Sequence, residues 1–226
     1  ARALAARYRA VIPDLPGHGQ ATHRSASFPA IAAYIRALAP SAPFTLAGYS
    51  MGGRIALYTA LTTPGIDHLI LVGASPGIED PNEREARRTA DEQLAQRIEH
   101  TDLETFAREW AKQPLFANQA PRVAAAAHAD RLRNRPEGLA HALRGLGTGA
   151  MEPLWDRLPN LTIPVTLITG ERDEKFTALA EQMRARLPRA QHVVIPGAGH
   201  APQLEAPEAV AEAIYQSGLP SSSASA

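Results

Sequence analysis

The backbone has few choices at Gly48-Tyr49-Ser50-Met51-Gly52, which spells G-x-S-x-G. A short apolar run over 44–47 precedes it and a helical pattern over 53–61 follows. That context is a strand entering a helix through a tight turn. A serine nucleophile needs such a turn, because the strained backbone lifts its hydroxyl clear of the sheet. Side chains two residues away on either flank would crowd it, so Gly48 and Gly52 are expected to relieve the collision. The amide of Met51 is left to point where an oxyanion could form. The plainer alternative is a glycine-rich turn with an incidental serine, against which the strand and helix on its flanks weigh.

A triad on this elbow continues in the order acid, then histidine. The apolar run 165–169 ends in Gly170-Glu171-Arg172-Asp173, and the run 192–195 ends in Pro196-Gly197-Ala198-Gly199-His200. Asp173 and His200 thus follow the carboxyl ends of strands, the edge where open α/β sheets build their sites. Singly, Asp173 suits a turn cap and His200 a solvated loop. Together with Ser50 they suit proton transfer, with His200 as base and Asp173 fixing its tautomer.

Strand and helix patterns alternate to about residue 75, with a helix over 30–39 and strands over 44–47 and 68–72. This rhythm predicts a mostly parallel sheet with helices on both faces. From 79 to about 146 it stops, and the periodicities are helical and polar. Residues 76–150 are therefore expected to form a helical lid inserted between strands. The rhythm resumes over 151–216, with helices at 177–187 and 207–215, and the small, polar tail 217–226 is expected to be disordered. Residues 1–75 form the first part of the core. There, 1–8 read as the end of a helix and 9–14 as a strand, leading into Leu15-Pro16-Gly17-His18-Gly19. A sheet of this type has earlier strands, including one whose loop gives a second oxyanion amide. The chain, opening on alanine, therefore reads as truncated at its amino terminus.

Composition narrows the function classes. A net charge of zero from 23 basic and 23 acidic residues, with no basic block, argues against nucleic acid as a partner. The absence of cysteine excludes a thiol nucleophile, a disulfide framework and a cysteine zinc site. No run approaches membrane-spanning length, so no membrane association and a cytoplasmic location are expected. Apart from Lys112 and Lys175, arginine supplies all the positive charge, and arginine is the better fork for a carboxylate.

Leu15-Pro16-Gly17-His18-Gly19, Gly48-Tyr49-Ser50-Met51-Gly52-Gly53-Arg54 and Pro196-Gly197-Ala198-Gly199-His200 resemble the α/β-hydrolase superfamily. Further stretches resemble one family within it, the 2-succinyl-6-hydroxy-2,4-cyclohexadiene-1-carboxylate synthases of menaquinone biosynthesis. They are Ala74-Ser75-Pro76-Gly77-Ile78, Glu83-Arg84-Glu85-Ala86-Arg87-Arg88, Glu109-Trp110, Pro114-Leu115-Phe116-Ala117, Gly145-Leu146-Gly147-Thr148-Gly149 and Gly170-Glu171-Arg172-Asp173-Glu174-Lys175-Phe176. The lid motifs are the more telling, since lids vary between activities while elbows do not.

The resemblance implies an α/β-hydrolase fold and a lyase that expels pyruvate from a ring bearing an enolpyruvyl ether and a succinyl chain. It implies no organic cofactor and no metal. A small polycarboxylate substrate calls for arginines, and Arg54, Arg88 and Arg133 match candidate positions, with Arg131 competing with Arg133. Tyr49 and Trp110 match pocket-lining positions, and Lys175 lies two residues past Asp173. Against these stand a solvated Arg54, an Arg88 paired with Glu85 or Asp91, a Trp110 in the lid core, and surface roles for Lys175 and Arg133. Two other functions fit the same residues: a serine hydrolase cleaving an ester or a carbon–carbon bond, and a non-catalytic piece. Pyruvate release separates the first from the lyase, and loss of activity in Ser50→Ala argues against the second. The sequence leaves the oligomeric state open.

Overall fold

The computed structural model of the chain describes residues 2–39, 43–116 and 119–217. Four parallel strands, β1 (Phe44–Tyr49), β2 (Ile66–Val72), β3 (Val165–Gly170) and β4 (Ala190–Ile195), lie side by side in chain order. Central β2 reads Ile-Asp-His-Leu-Ile-Leu-Val, and all of it except Asp67 is buried. Such a near-continuous apolar strand needs cover on both faces.

The two faces are separated by the alternation of the pleat. Leu69, Leu71, Val165 and Leu167 join a core with α1 (Phe28–Leu38), α2 (Met51–Thr62) and α7 (Glu174–Arg186). Ile70, Val72 and Ile168 point the other way, to Val210, Ala213 and Ile214 of α9 (Pro207–Ser217). Leu4 and Tyr8 pack on that second core, and Tyr215 Oη donates to Ala3 O at 2.7 Å, so the opening turn is tied to α9.

Between β2 and β3 the chain makes α3 (Pro81–Glu99), α4 (Leu103–Ala111), α5 (Pro121–Arg131) and α6 (Pro136–Leu146), with no strand among the described residues of the insert. Asp80 and Asp102 cap α3 and α4 by accepting from Glu83 N and Thr105 N. The insert has a small core of its own, Ala95, Ile98, Phe106 and Ala140, while Leu146, Met151 and Trp155 join the main one. Arg144 of α6 reaches Glu92 of α3 at 2.8 Å.

The strand expected over 9–14 does not form. Those residues join no ladder with any described strand, and Val11 and Ile12 are 53% and 72% exposed. A strand is stabilised by its ladder and its covered face, and here β1, at the sheet edge, pairs with β2 alone. The opening segment holds a 3-10 turn, Arg2–Leu4, in place of an α-helical end. The short helix α8 (Pro202–Glu205) was not legible in the sequence pattern. The tail expectation falls, beyond Ser217, outside the described residues.

Candidate active site

Ser50 stands between β1 and α2 with φ 50° and ψ −111°, and it is the one non-glycine residue with positive φ among those described. Its N–H donates to Val72 O at 2.9 Å, so the neighbouring strand pins the turn. The glycine expectation needs one correction. A Cβ on Gly48 would lie 2.2 Å from Gly52 O, as expected, whereas one on Gly52 meets nothing closer than Leu15 Cδ1 at 4.0 Å. The second position without room is Gly53, where a Cβ would stand 2.5 Å from that of Ala74. Gly48→Ala should therefore cost about 3 kcal/mol or more, while Gly52→Ala should stay within about 1 kcal/mol. Urea unfolding of the two variants tests the contrast.

His200 Nε2 lies 3.3 Å from Ser50 Oγ, and His200 Nδ1 lies 2.6 Å from Asp173 Oδ2. The imidazole and the carboxylate are buried, with side chains 1% and 5% exposed. Asp173 also caps α7, its Oδ1 accepting from Phe176 N at 3.4 Å. Three residues spread over 150 positions of the chain thus meet at the carboxyl edge of the sheet, in the geometry of an acid–histidine–serine relay. Met51 opens α2, where first-turn amides have no partner within the helix, so its N–H is available to an oxyanion.

Aromatic rings surround the imidazole. Phe176 lies 4.5 Å from it, Tyr49 5.3 Å and Phe116 of the insert 6.3 Å, centroid to centroid. Burial first, and the charge of Asp173 next, push the Tyr49 phenol up, so it stays protonated and able to donate.

Arg54 leaves the first turn of α2 and donates from Nη2 to Leu146 O at 2.9 Å. Its Nε is buried without a hydrogen-bond partner, and no ion pair engages it among the described residues. Burial, aided by the nearby charge of Arg87 and opposed by Asp91, pushes its guanidinium down to about 10. It remains a cation at neutral pH. Asp91 is spent on Arg87, at 2.7 Å, and on the amide of Gly149.

The other expected contacts divide. Arg131 lies over the Phe116 ring at 5.2 Å, and burial lowers its guanidinium while the nearby Tyr49 opposes that. Arg133 is 68% exposed and pairs with Asp130 at 3.1 Å, so its cation is held at the surface by the preceding turn. Of the two, Arg131 is brought toward the histidine. Arg88 is exposed, 3.9 Å from Glu85 and 3.4 Å from Gly149 O. It lines a cavity of about 220 Å³ with Asp91, Glu92 and Arg144, apart from the triad. Trp110 packs on Phe106, 5.6 Å away, within the insert's core. Lys175 is exposed, with Nζ 5.9 Å from the Phe176 ring that touches His200. His18 turns back to Pro16 O at 3.1 Å, a loop-stiffening contact. Phe116 and Phe176 lie within the resembling motifs, but nothing in their spacing links them to residue 200.

A sheet with a serine elbow and a relay at its carboxyl edge defines the α/β-hydrolase class, and residues 1–213 match the alpha/beta hydrolase family. A putative 2-succinyl-6-hydroxy-2,4-cyclohexadiene-1-carboxylate synthase of Bacillus subtilis (strain 168) is 40% identical over 72% of this chain and 61% of its own length. The synthase of that name from Salmonella newport (strain SL254) is 35% identical over 90% of this chain and 81% of its own. The solved structure of MenH from S. aureus matches with a TM-score of 0.85 at 34% identity, over 90% of this chain and 80% of that one. The match thus spans about three fifths of the B. subtilis relative. The chain belongs to the alpha/beta hydrolase family and, within it, to the family of these synthases.

Proposed function

We propose that the chain is a carbon–oxygen lyase of menaquinone biosynthesis. It removes pyruvate from 2-succinyl-5-enolpyruvyl-6-hydroxy-3-cyclohexene-1-carboxylate to give 2-succinyl-6-hydroxy-2,4-cyclohexadiene-1-carboxylate. Relatives 35–40% identical that carry the name of the product-forming synthase support this reading. The observation that carries it is a Ser50–His200–Asp173 array with a buried arginine one helical turn away that no carboxylate engages among the described residues. A buried, unpaired guanidinium is costly unless a ligand supplies the anion, which a polycarboxylate does.

Ser50, made basic through His200, takes a ring proton, and the electron pair moves to the succinyl ketone oxygen. Met51 N–H, at the amino end of α2, holds the enolate. Collapse breaks the carbon–oxygen bond to the enolpyruvyl group, which leaves as the enolate of pyruvate and takes up the proton. The ring gains its second double bond, and no water enters. Phe116, Phe176 and Tyr49 around the imidazole keep the reacting atoms dry. Helices α3–α6 act as the lid of this site, and Arg131 serves with Arg54 as a carboxylate contact. The same proposal places the reaction in the cytoplasm, since a multiply charged intermediate does not cross a bilayer unaided.

Incubation with the enolpyruvyl substrate, assaying pyruvate, tests the proposal. No pyruvate, together with turnover of aryl esters, would favour a serine hydrolase on the same scaffold. Arg54→Met keeps the apolar stem and removes the cation, and it should raise KM about tenfold or more with the fold intact. Steady-state kinetics showing an unchanged KM would remove Arg54 from the site.

A further inference from the structure

Glu205 ends α8, five residues past His200, with its side chain 7% exposed. Its Oε2 accepts the Gly199 N–H at 2.9 Å and its Oε1 the Ala201 N–H at 3.3 Å, so one carboxylate grips the amides on both sides of the histidine. Arg172 donates from Nη2 to Oε2 at 2.7 Å. Arg172 is also the residue before Asp173, and its backbone N–H donates to Ala198 O at 2.9 Å. The loop that carries the acid and the loop that carries the base are therefore joined by main chain, by Glu171 Oε2 accepting from Gly197 N at 2.8 Å, and, on either side of His200 itself, through Glu205.

We propose that Glu205 is a positioning residue for His200, clamping Gly199 and Ala201 to the acid loop through Arg172 so that the imidazole stays in line between Asp173 and Ser50. Among the described residues Glu205 makes no hydrogen bond to Ser50, Asp173 or the imidazole, and both its oxygens are held by main chain and Arg172. Charge-assisted bonds of this kind are the strong ones, and a supporting shell sets how closely a relay holds its geometry. The 2.6 Å contact between His200 and Asp173 spans these same two loops. The inference rests on the triad of the proposed function and not on its substrate.

The test compares Glu205→Gln and Glu205→Ala with the wild type in three readouts. These are kcat and KM for pyruvate release, the labelling rate of Ser50 by a fluorophosphonate, and the low-field NMR proton of the His200–Asp173 hydrogen bond. Glutamine matches the shape but replaces one acceptor oxygen with an NH2 group, so an amide or Arg172 then faces a donor. Both variants should lose about tenfold or more in kcat with KM within about twofold, and should label more slowly by a similar factor. The low-field proton should weaken or vanish. If Glu205→Ala does not fold, the near-isosteric glutamine variant decides. Wild-type kcat, labelling and low-field proton in folded Glu205→Gln, even with a lowered unfolding temperature, would mark a purely structural role and overturn the proposal. A wild type that labels yet releases no pyruvate would sink the lyase reading, while labelling and NMR still decide the role of Glu205.

Discussion

Ser50→Ala should abolish pyruvate release, and Ser50→Gly should do the same while leaving the protein more stable than the alanine variant. The activity loss follows from the relay: without Oγ, His200 Nε2 has no oxygen at 3.3 Å through which to take the ring proton. Loss of a positioned base costs about a hundredfold to ten-thousandfold. The stability difference follows from the backbone. Ser50 holds φ 50° and ψ −111°, a region that L residues adopt at about 1–3 kcal/mol each. Alanine keeps the Cβ and so keeps the strain, whereas glycine removes it at the cost of a more flexible unfolded chain, about 0.5–1 kcal/mol. Ser50 caps α2 without using its side chain, so neither variant forfeits a cap bond. The net gain of glycine over alanine should be about 1 kcal/mol, or roughly 2–4 °C in Tm. Residual activity above about a tenth of wild type in the alanine variant would remove Ser50 as the base, and equal melting of the two would deny stored strain.

The legible part of this protein is the part governed by local chemistry. Strands β1 to β4 and helices α1, α2, α7 and α9 follow from apolar runs and periodicity, and Ser50, Asp173 and His200 from their places just past strand ends. What escaped depends on distant neighbours. Residues 9–14 have strand composition, yet a strand exists only beside another strand, which composition cannot supply. Arg131 and Arg133 are equivalent in a string of letters. They differ because two residues along a helix end turn the side chain by about half a turn, one toward Phe116 and one toward Asp130. Glu205 stands five residues past His200 in the sequence, but only the fold brings both its oxygens onto the amides that flank the histidine. Gly53 took the role expected of Gly52 because Ala74, 21 positions on, packs against it.

Asp173→Asn should lower kcat about a thousandfold to ten-thousandfold with little change in KM or in melting temperature. The carboxylate accepts from His200 Nδ1–H at 2.6 Å, which leaves the lone pair on Nε2, facing Ser50. An asparagine amide that turns its NH2 to Nδ1 makes that nitrogen the acceptor and moves the ring proton to Nε2, where it blocks the transfer. The charge that would stabilise the imidazolium is lost as well, and both side chains are too buried for water to replace it. Stability should hardly change, because asparagine can still accept from Phe176 N and cap α7, and the substitution leaves no unpaired charge inside. Substrate binding should hold too, since the carboxylate touches His200 and the α7 amide rather than the expected carboxylate contacts at Arg54 and Arg131. Single-turnover kinetics of pyruvate release beside a thermal melt separates these effects. A kcat within about threefold of wild type would mean that the tautomer is set by some other group.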